Sequence, residues 1–502
     1  MSEPVNYDAV VIGAGLGGLG AASQLALAGQ RVLVLERHSA QGGYATSFVR
    51  GRFEFEGALH ELSGLGTEEN PGGVRRFLTK LGIIPDLMRF RMVPEVYSCK
   101  FYDGYKLDLP YGAQEYADTL AREFPEEAAN VRRFMKVCQK INDGFYRKNP
   151  LLVPWVARVG GLTVHEFLSK FFTNRRLMNI IAQFWCYFGP PPGECNAAIF
   201  VGGLMSYLIK GAWFPEGRSH NLSLQIARKI EELGGVMKYN APVAKILLEN
   251  GRTSGVIMAN GDEYRANAVF ANVNPVAVVS KMLPADAAPP FFSRRIYANA
   301  REIGPSIFTV YLGLNAPPEE LGLDTYEVFL NTTDDLQSAA YGTGLDEINF
   351  MASTCYNLVW PEVSPPGTSM VSLTALMSGQ EWHGVAPEEY FRVKDRVTKN
   401  IIDVFADYLC PKVYEHIEVL EAASPVTLYR YTRNPDGAVY GQHGSVYHSP
   451  LTRLSVSTPI NGLYFCGAWT NEGGGFSPCI ASGRKAASRY LKSRNLPDPG
   501  GA

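Results

Sequence analysis

Net charge, paired cysteines and long apolar runs are all scarce in this 502-residue chain. Its 47 Lys and Arg nearly balance 49 Asp and Glu, for a formal charge of −2. Without a surplus of positive charge there is no electrostatic footprint for a phosphate backbone, so nucleic acid is excluded as a partner. The 8 cysteines are scattered, no two in C-x-x-C, and the 8 histidines show neither H-x-x-x-H nor H-E-x-x-H. No metal is expected, and scattered thiols suit a reducing compartment. In the middle of the chain the uncharged apolar stretch Cys195–Ile209 has 15 residues. A helix that spans a bilayer takes roughly 20. Met1–Asp8 is polar and starts no signal peptide. The expectation is a cytoplasmic protein, soluble or lying on a membrane surface without crossing it.

What is plentiful is glycine, 50 of 502 residues against the usual ~7%. Tyr7–Ile12 ends in continuous apolar residues and reads as a buried strand. Gly13-Ala14-Gly15-Leu16-Gly17-Gly18 follows, then a helical stretch through Leu19, Ala22, Leu25 and Leu27 that closes at Gly29. Arg31–Glu36 is a second strand ending in an acid, 23 residues after Gly13. A lone G-x-G-x-x-G is weak. Between a strand and a helix, with a carboxylate at this distance, it is a dinucleotide fingerprint. Gly13 permits the tight turn, Gly15 lets the backbone approach a pyrophosphate, and Gly18 lets helix and strand pack closely. The pyrophosphate would face the helix N-terminus. Glu36 would accept from a ribose hydroxyl.

After Arg37 and His38, Gly42-Gly43-Tyr44-Ala45 gives a second close backbone approach. This resembles the glutathione-reductase-type FAD fold, where a Gly-Gly after the ribose acid belongs to the flavin fingerprint. Relatives often carry Arg where Tyr44 stands. At the far end, Gly462–Gly467 reads as a short strand and Ala468–Phe476 as a Gly-rich loop. Ser477 and Pro478 read as the cap and first residue of a terminal helix. Such a helix end stabilises negative charge near N1 and C2=O of a flavin. Cys466 and Cys479 flank the loop, but Cys466 lies in the strand and covalent flavin attachment is not expected. Together with Gly211–Gly217 and Ser424–Thr432, these runs resemble the phytoene desaturase superfamily, which includes carotenoid desaturases, carotenoid isomerases and retinol saturase.

The resemblance implies an α/β fold: a glutathione-reductase-type FAD-binding Rossmann domain from residues 1–95, 212–275 and 455–502. An α+β substrate domain would come from residues 96–211 and 276–454. Leu222, Ile226, Ile230 and Leu233 predict a helix after Gly217, and Asn250-Gly251 and Asn260-Gly261 predict hairpin turns. FAD is the implied cofactor. Gly13, Gly15, Gly18, Glu36, Arg37, Gly43, Tyr44 and Ala45 would hold it, with the Val243 backbone at the adenine. Gly467, Trp469, Asn471, Gly475 and Phe476 would lie at the isoalloxazine. The implied activity is hydride transfer at a C=C or C–C bond of a polyene or isoprenoid lipid, by a saturase, desaturase or isomerase. Partners would be an apolar substrate and an external electron donor or acceptor (a quinone, a ferredoxin or O₂), since no second dinucleotide fingerprint occurs.

Glu56, His60 and Tyr431 are the catalytic candidates. A structural hydrogen bond is the competing reading of Glu56 and His60, and packing that of Tyr431. The aromatics from Phe167 to Phe188 and the apolar run after Pro192 suit a core, a tunnel wall or a face lying on a membrane. Three alternatives stay open: a flavin amine or amino-acid oxidase, an enzyme of reductive polyene cyclisation, and a non-enzymatic prenyl-lipid carrier resembling GDP-dissociation inhibitors.

Overall fold

The computed structural model describes residues 6–146, 149–446 and 452–499. Strand β1 (Asn6–Ile12), buried from Ala9 onward, pairs in parallel with β2 (Val32–Leu35) on one side and with Glu263–Ala271 on the other. A strand buried on both faces must be apolar throughout, as Ala9–Ile12 is. Val236–Lys238 extends the sheet beyond β2. The far side of Glu263–Ala271 is shared: its first half pairs antiparallel with the meander Val243–Glu249 and Arg252–Met258, and its last three residues pair in parallel with Leu463–Phe465. The meander turns at Asn250 and Gly251, both with positive φ (51° and 73°), as the Asn-Gly pair predicts.

Helix α1 (Leu16–Leu27) follows the first turn, and the terminal helix Phe476–Ser493 crosses it at very short range. The crossing depends on missing side chains. A Cβ on Gly483 would stand 1.9 Å from Gly17 O, and one on Gly20 would stand 2.7 Å from Ile480 O. The helix Arg218–Glu232 also packs on α1. The opposite face is covered by residues 275–299: Val278, Met282, Phe292 and Ile296 share a cluster with Val10, Ile12 and Leu33.

The second sheet runs Ile417–Ala423, Ser306–Leu314, Ser369–Met377, Phe350–Cys355, Glu327–Asn331, Tyr97–Phe101, Lys106–Leu109. It is antiparallel except where Glu327–Asn331 meets Tyr97–Phe101. Alternation sorts its two faces. Phe308, Val310, Leu312 and Leu373 pack with Val397, Ile401 and Phe405 of the helix Tyr390–Tyr408. Tyr311, Tyr326 and Phe329 belong to the other core, shared with the first sheet.

The apolar run at 195–209 becomes the helix Ala197–Lys210, capped by Asn196 Oδ1, which accepts from Ala198 N and Ile199 N at 3.1 Å each. Phe200, Val201, Leu204, Met205 and Leu208 are buried, so this run is core rather than a membrane face. Phe167, Phe172, Phe184 and Trp185 are buried with it. Among the described residues no helix is long and apolar enough to cross a membrane.

In an open helix Gly→Ala adds about 1 kcal/mol of stability. Gly483→Ala is instead expected to destabilise by about 1–3 kcal/mol through overpacking, read as a lower thermal midpoint. Gly73→Ala, whose Cβ meets nothing within 4 Å, is the control. A higher midpoint for Gly483→Ala would contradict the close crossing.

Candidate active site

Three glycine segments far apart in the sequence meet at the carboxyl end of β1. Gly15 and Gly42 form a parallel bridge, and Gly42 N donates to Ala14 O at 2.8 Å. Gly467 arrives from the strand Leu463–Phe465, held by Cys466 N donating to Ala271 O at 3.0 Å. The Asn272 side chain lies among them. A Cβ on Gly15, Gly17 or Gly467 would stand 2.8, 2.5 or 2.5 Å from its amide atoms. Gly13 has φ +91°, a conformation that side chains avoid, and a Cβ on Gly18 would stand 2.0 Å from Gly13 O. Both α1 and the terminal helix start from a glycine, Gly15 and Gly475, with no side-chain cap. Their first N–H groups and dipoles are therefore free for an anion. Ser477, the expected cap, donates its hydroxyl to Ser63 O instead, because the helix already begins at Phe476.

Glu36 ends β2's edge of this cradle. Its Oε2 accepts from Ala14 N at 2.7 Å and its Oε1 from His38 N at 2.8 Å. Each oxygen keeps acceptor capacity for a hydroxyl. Ala241 N donates to Glu36 O at 2.8 Å, which brings Val243 to the same edge. Ala45 is fully buried, its carbonyl accepting from Ser223 Oγ at 3.0 Å. The Tyr44 hydroxyl donates to Ala438 O at 3.1 Å, and burial pushes its pKa up to about 12. Arg37 Nη2 donates to the carbonyls of Arg430 (3.1 Å) and Tyr431 (2.7 Å), and the His38 ring also meets Tyr431 O. The structure therefore separates Tyr431 from the other catalytic candidates. It is 55% exposed, beside His38 at the Glu36 end.

At the other end, Trp469 is buried with Nε1 donating to Asn434 Oδ1 at 3.1 Å. Asn471 N donates to Leu454 O at 2.8 Å, while its Oδ1 is buried without a partner. The Gln442 amide and Arg453 Nε are orphaned in the same way. Arg453 Nη2 donates to Gln442 O at 2.6 Å, and a Cβ on Gly473 would stand 2.8 Å from Arg453 Nη1. Burial alone pushes the Arg453 pKa down to about 10. Burial also pushes the Cys479 thiol up to about 12 and raises that of Cys466, so neither is a ready thiolate.

Residues 57–62 connect these loops to the second sheet. Glu56 is buried and accepts from Ser219 N at 2.8 Å, from Ser219 Oγ, and from Ala58 N and Leu59 N at 3.3 and 3.1 Å. It ties the loop to the N-terminal turn of Arg218–Glu232, where the helix dipole favours a carboxylate, although burial raises its pKa. Three tyrosine hydroxyls then clamp the loop's carbonyls: Tyr311 to Gly57 (2.6 Å), Tyr356 to Leu59 (3.0 Å) and Tyr326 to His60 (2.6 Å). Leu62 exchanges both backbone bonds with Trp213, at 2.8 and 3.1 Å. His60 Nδ1 meets Glu327 Oε1 at 2.8 Å and Nε2 meets Thr374 Oγ1 at 3.2 Å. Tyr187 donates to the other Glu327 oxygen. Between these fixed points Glu61 is 6% exposed, and neither of its oxygens has a partner. Burial first, then the Glu327 and Glu95 carboxylates, hold its pKa well above the usual 4.5.

Residues 16–491 match the family described as flavin containing amine oxidoreductase. The chain belongs to that family. Within this flavin oxidoreductase family it is 26% identical to an all-trans-retinol 13,14-reductase of Danio rerio, over 92% of the chain and 82% of the relative. It is also 26% identical to a prolycopene isomerase of an Oncidium hybrid cultivar, over 97% of the chain and 84% of the relative. Among solved structures, an oxidoreductase of Methanosarcina mazei superposes with a TM-score of 0.65 at 18% identity, covering 97% of the chain and 100% of that protein. These relatives place the chain in the superfamily of retinol saturases and carotenoid isomerases, and its α/β fold is that of the flavin oxidoreductases. The residues present fit a flavin: a glycine cradle closed to any Cβ, two uncapped helix starts, and orphaned polar atoms beside the terminal loop.

Sequence reasoning missed Asn272, the three clamping tyrosines and Glu61. For Glu61 the one signal was its place next to His60. An acid whose folded pKa lies above its unfolded value takes up a proton on folding. The stability tied to the Glu61 proton is therefore full below pH 4.5 and is lost as pH rises toward the folded value. The slope is at most ~1.4 kcal/mol per pH unit. Urea unfolding measured between about pH 5 and 8 should show this slope, and Glu61→Gln should flatten it. Equal slopes in both proteins would contradict the buried, protonated acid.

Proposed function

We propose that this oxidoreductase uses FAD to move hydride to or from a C=C or C–C bond of a polyene or isoprenoid lipid, in the manner of a saturase or isomerase. One observation carries the reading: relatives that by name act on retinol and prolycopene align over 92% and 97% of the chain. The aromatic surroundings of the 57–62 loop support it. Tyr187 lies 5.9 Å from Tyr207 and 6.0 Å from Phe329, ring to ring, beside the His60–Glu327 pair. FAD, when bound, supplies the hydride chemistry at N5.

Residues 1–95, 212–275 and 455–502 form the FAD domain, and residues 96–211 and 276–454 the substrate domain. Gly13, Gly15 and Gly18 receive the pyrophosphate, and Glu36 the ribose. Arg37, Gly43, Tyr44, Ala45 and Val243 line the adenosine side. Gly467, Trp469, Asn471, Gly475 and Phe476 line the ring. Glu56 and the tyrosine clamps hold the loop that carries His60. An external carrier, a quinone, a ferredoxin or O₂, exchanges electrons with the flavin. The carrier-protein alternative needs no cradle of this kind.

The test is anaerobic. Flavin bleached with dithionite should regain its colour on mixing with a conjugated polyene, with loss of polyene absorbance. No recovery with polyene, together with bleaching of the oxidised flavin by simple amines, would move the reading to the amine oxidases.

Peripheral contact with a membrane belongs to the same reading, since the substrate is lipid. On the short helix Val153–Val159 and the turn before it, Leu151 is 88% and Val153 53% exposed. The preceding helix Ala128–Tyr146 exposes Arg132, Lys136 and Lys140 at four-residue spacing, one face of a helix. An apolar tip beside a basic stripe fits an anionic bilayer surface. Leu151→Glu with Val153→Glu should release the protein from phosphatidylserine vesicles in a flotation assay without loss of flavin. Unchanged flotation would remove this segment from the interface.

A further inference from the structure

We propose that Glu61 is the acid that gives a proton to the substrate's double bond. The proposal rests on the hydride-transfer reading above and assigns the proton that reading leaves without a source. Hydride delivered to one carbon of a C=C bond pushes the π electron pair onto the adjacent carbon, and that electron-rich carbon needs H⁺ to finish as a saturated pair. A positioned acid must supply it.

Glu61 meets the requirements of place, rigidity and unspent capacity. Its neighbours on both sides are fixed, His60 O by the Tyr326 hydroxyl and Leu62 by both backbone bonds to Trp213. Its carboxyl group is shut away from solvent, yet no protein donor or acceptor engages either oxygen. A buried carboxyl without partners is costly, and a structural acid would have been given them, as Glu56 is. The titratable groups around it are Glu327, Glu95, His60, Tyr111, Tyr187, Tyr207, Tyr326 and Cys186. None of them carries a described hydrogen bond to it. Two nearby carboxylates keep its proton in place until a substrate carbon takes it.

In the step itself the Glu61 O–H bond breaks and a C–H bond forms on the carbon next to the one that accepts hydride. The alkene is reduced by two electrons, the reduced flavin is oxidised by two, and Glu61 is left as a carboxylate. Solvent restores its proton when product leaves, and a reduced external carrier, a ferredoxin or a quinol, restores the reduced flavin. His60 and Glu327 are positioning residues in this scheme: their pairing orients the loop and places a negative charge beside Glu61.

The test compares the wild-type holoenzyme with Glu61→Gln and Glu61→Asp. Infrared difference spectra at neutral pH should contain the C=O stretch of a protonated carboxylic acid, shifted by D₂O. Glu61→Gln should lack that band while keeping its FAD content and visible spectrum. In anaerobic single turnover with a conjugated polyene, Glu61→Gln should slow flavin reoxidation by roughly 10²–10⁴-fold, the usual range for a lost general acid. Glu61→Asp should recover part of the rate. A band that persists in Glu61→Gln, or wild-type turnover by that variant, overturns the assignment while leaving the function standing. A wild-type enzyme that reduces no polyene overturns the function, and the donor role falls with it.

Discussion

At the carboxyl end of β1 the backbones of residues 13–18, 42–43 and 467 come together with only the Asn272 amide between them. The constraint is steric: a Cβ on Gly15, Gly17 or Gly467 would collide with the Asn272 side chain, and one on Gly18 with Gly13 O. Much else in the molecule follows from it. Closing the cradle requires the strand Leu463–Phe465 to join a sheet begun at Asn6, so the two ends of the chain share one layer. Joining that layer sets the terminal helix across α1, and the crossing in turn needs Gly17, Gly20 and Gly483. A glycine-rich turn and a helix crossing are thus one packing problem, with glycine as the solution to both.

A second constraint links this layer to the rest. The 57–62 loop is held from both layers by hydrogen bonds to its backbone. Glu56 anchors it to a helix start of the first domain, and Tyr311, Tyr326 and Tyr356 anchor its carbonyls to the second. The two sheets are therefore registered against each other through buried polar bonds, each satisfied, around one group that is not. A single unsatisfied carboxyl among satisfied neighbours is where such a network has chemistry to spare.

How much of this was legible in the sequence depended on range. Gly13–Gly18 and Glu36 could be read because strand, turn, helix and acid follow one another within one unit, and local spacing carries the geometry. The hairpin at Asn250-Gly251 was legible for the same reason. The assembly of one sheet from three separated segments came from family resemblance, not from any local pattern. The tyrosine clamps were not legible, because which tyrosine hydroxyl faces a loop carbonyl is decided by strand register in a different sheet. Cys195–Ile209 offered core as the leading reading, with tunnel wall or membrane face beside it, since hydrophobicity alone does not say what covers a helix; burial against the aromatic core decided it. Tyr431 sits in a segment that resembles a substrate-side element, yet the Arg37 guanidinium draws its carbonyl to the Glu36 end of the cradle.

The central claim is that an adenine dinucleotide, and not merely a flavin ring, lies across the two ends of the polypeptide. Its most direct test is the stoichiometry of flavin released by heat from protein saturated separately with FAD and with FMN. The account predicts one FAD per chain and little FMN retained, because the Glu36 end and the pyrophosphate cradle have work only when the adenosine half is present. A chain that takes up neither, or holds FMN as well as FAD, would contradict it.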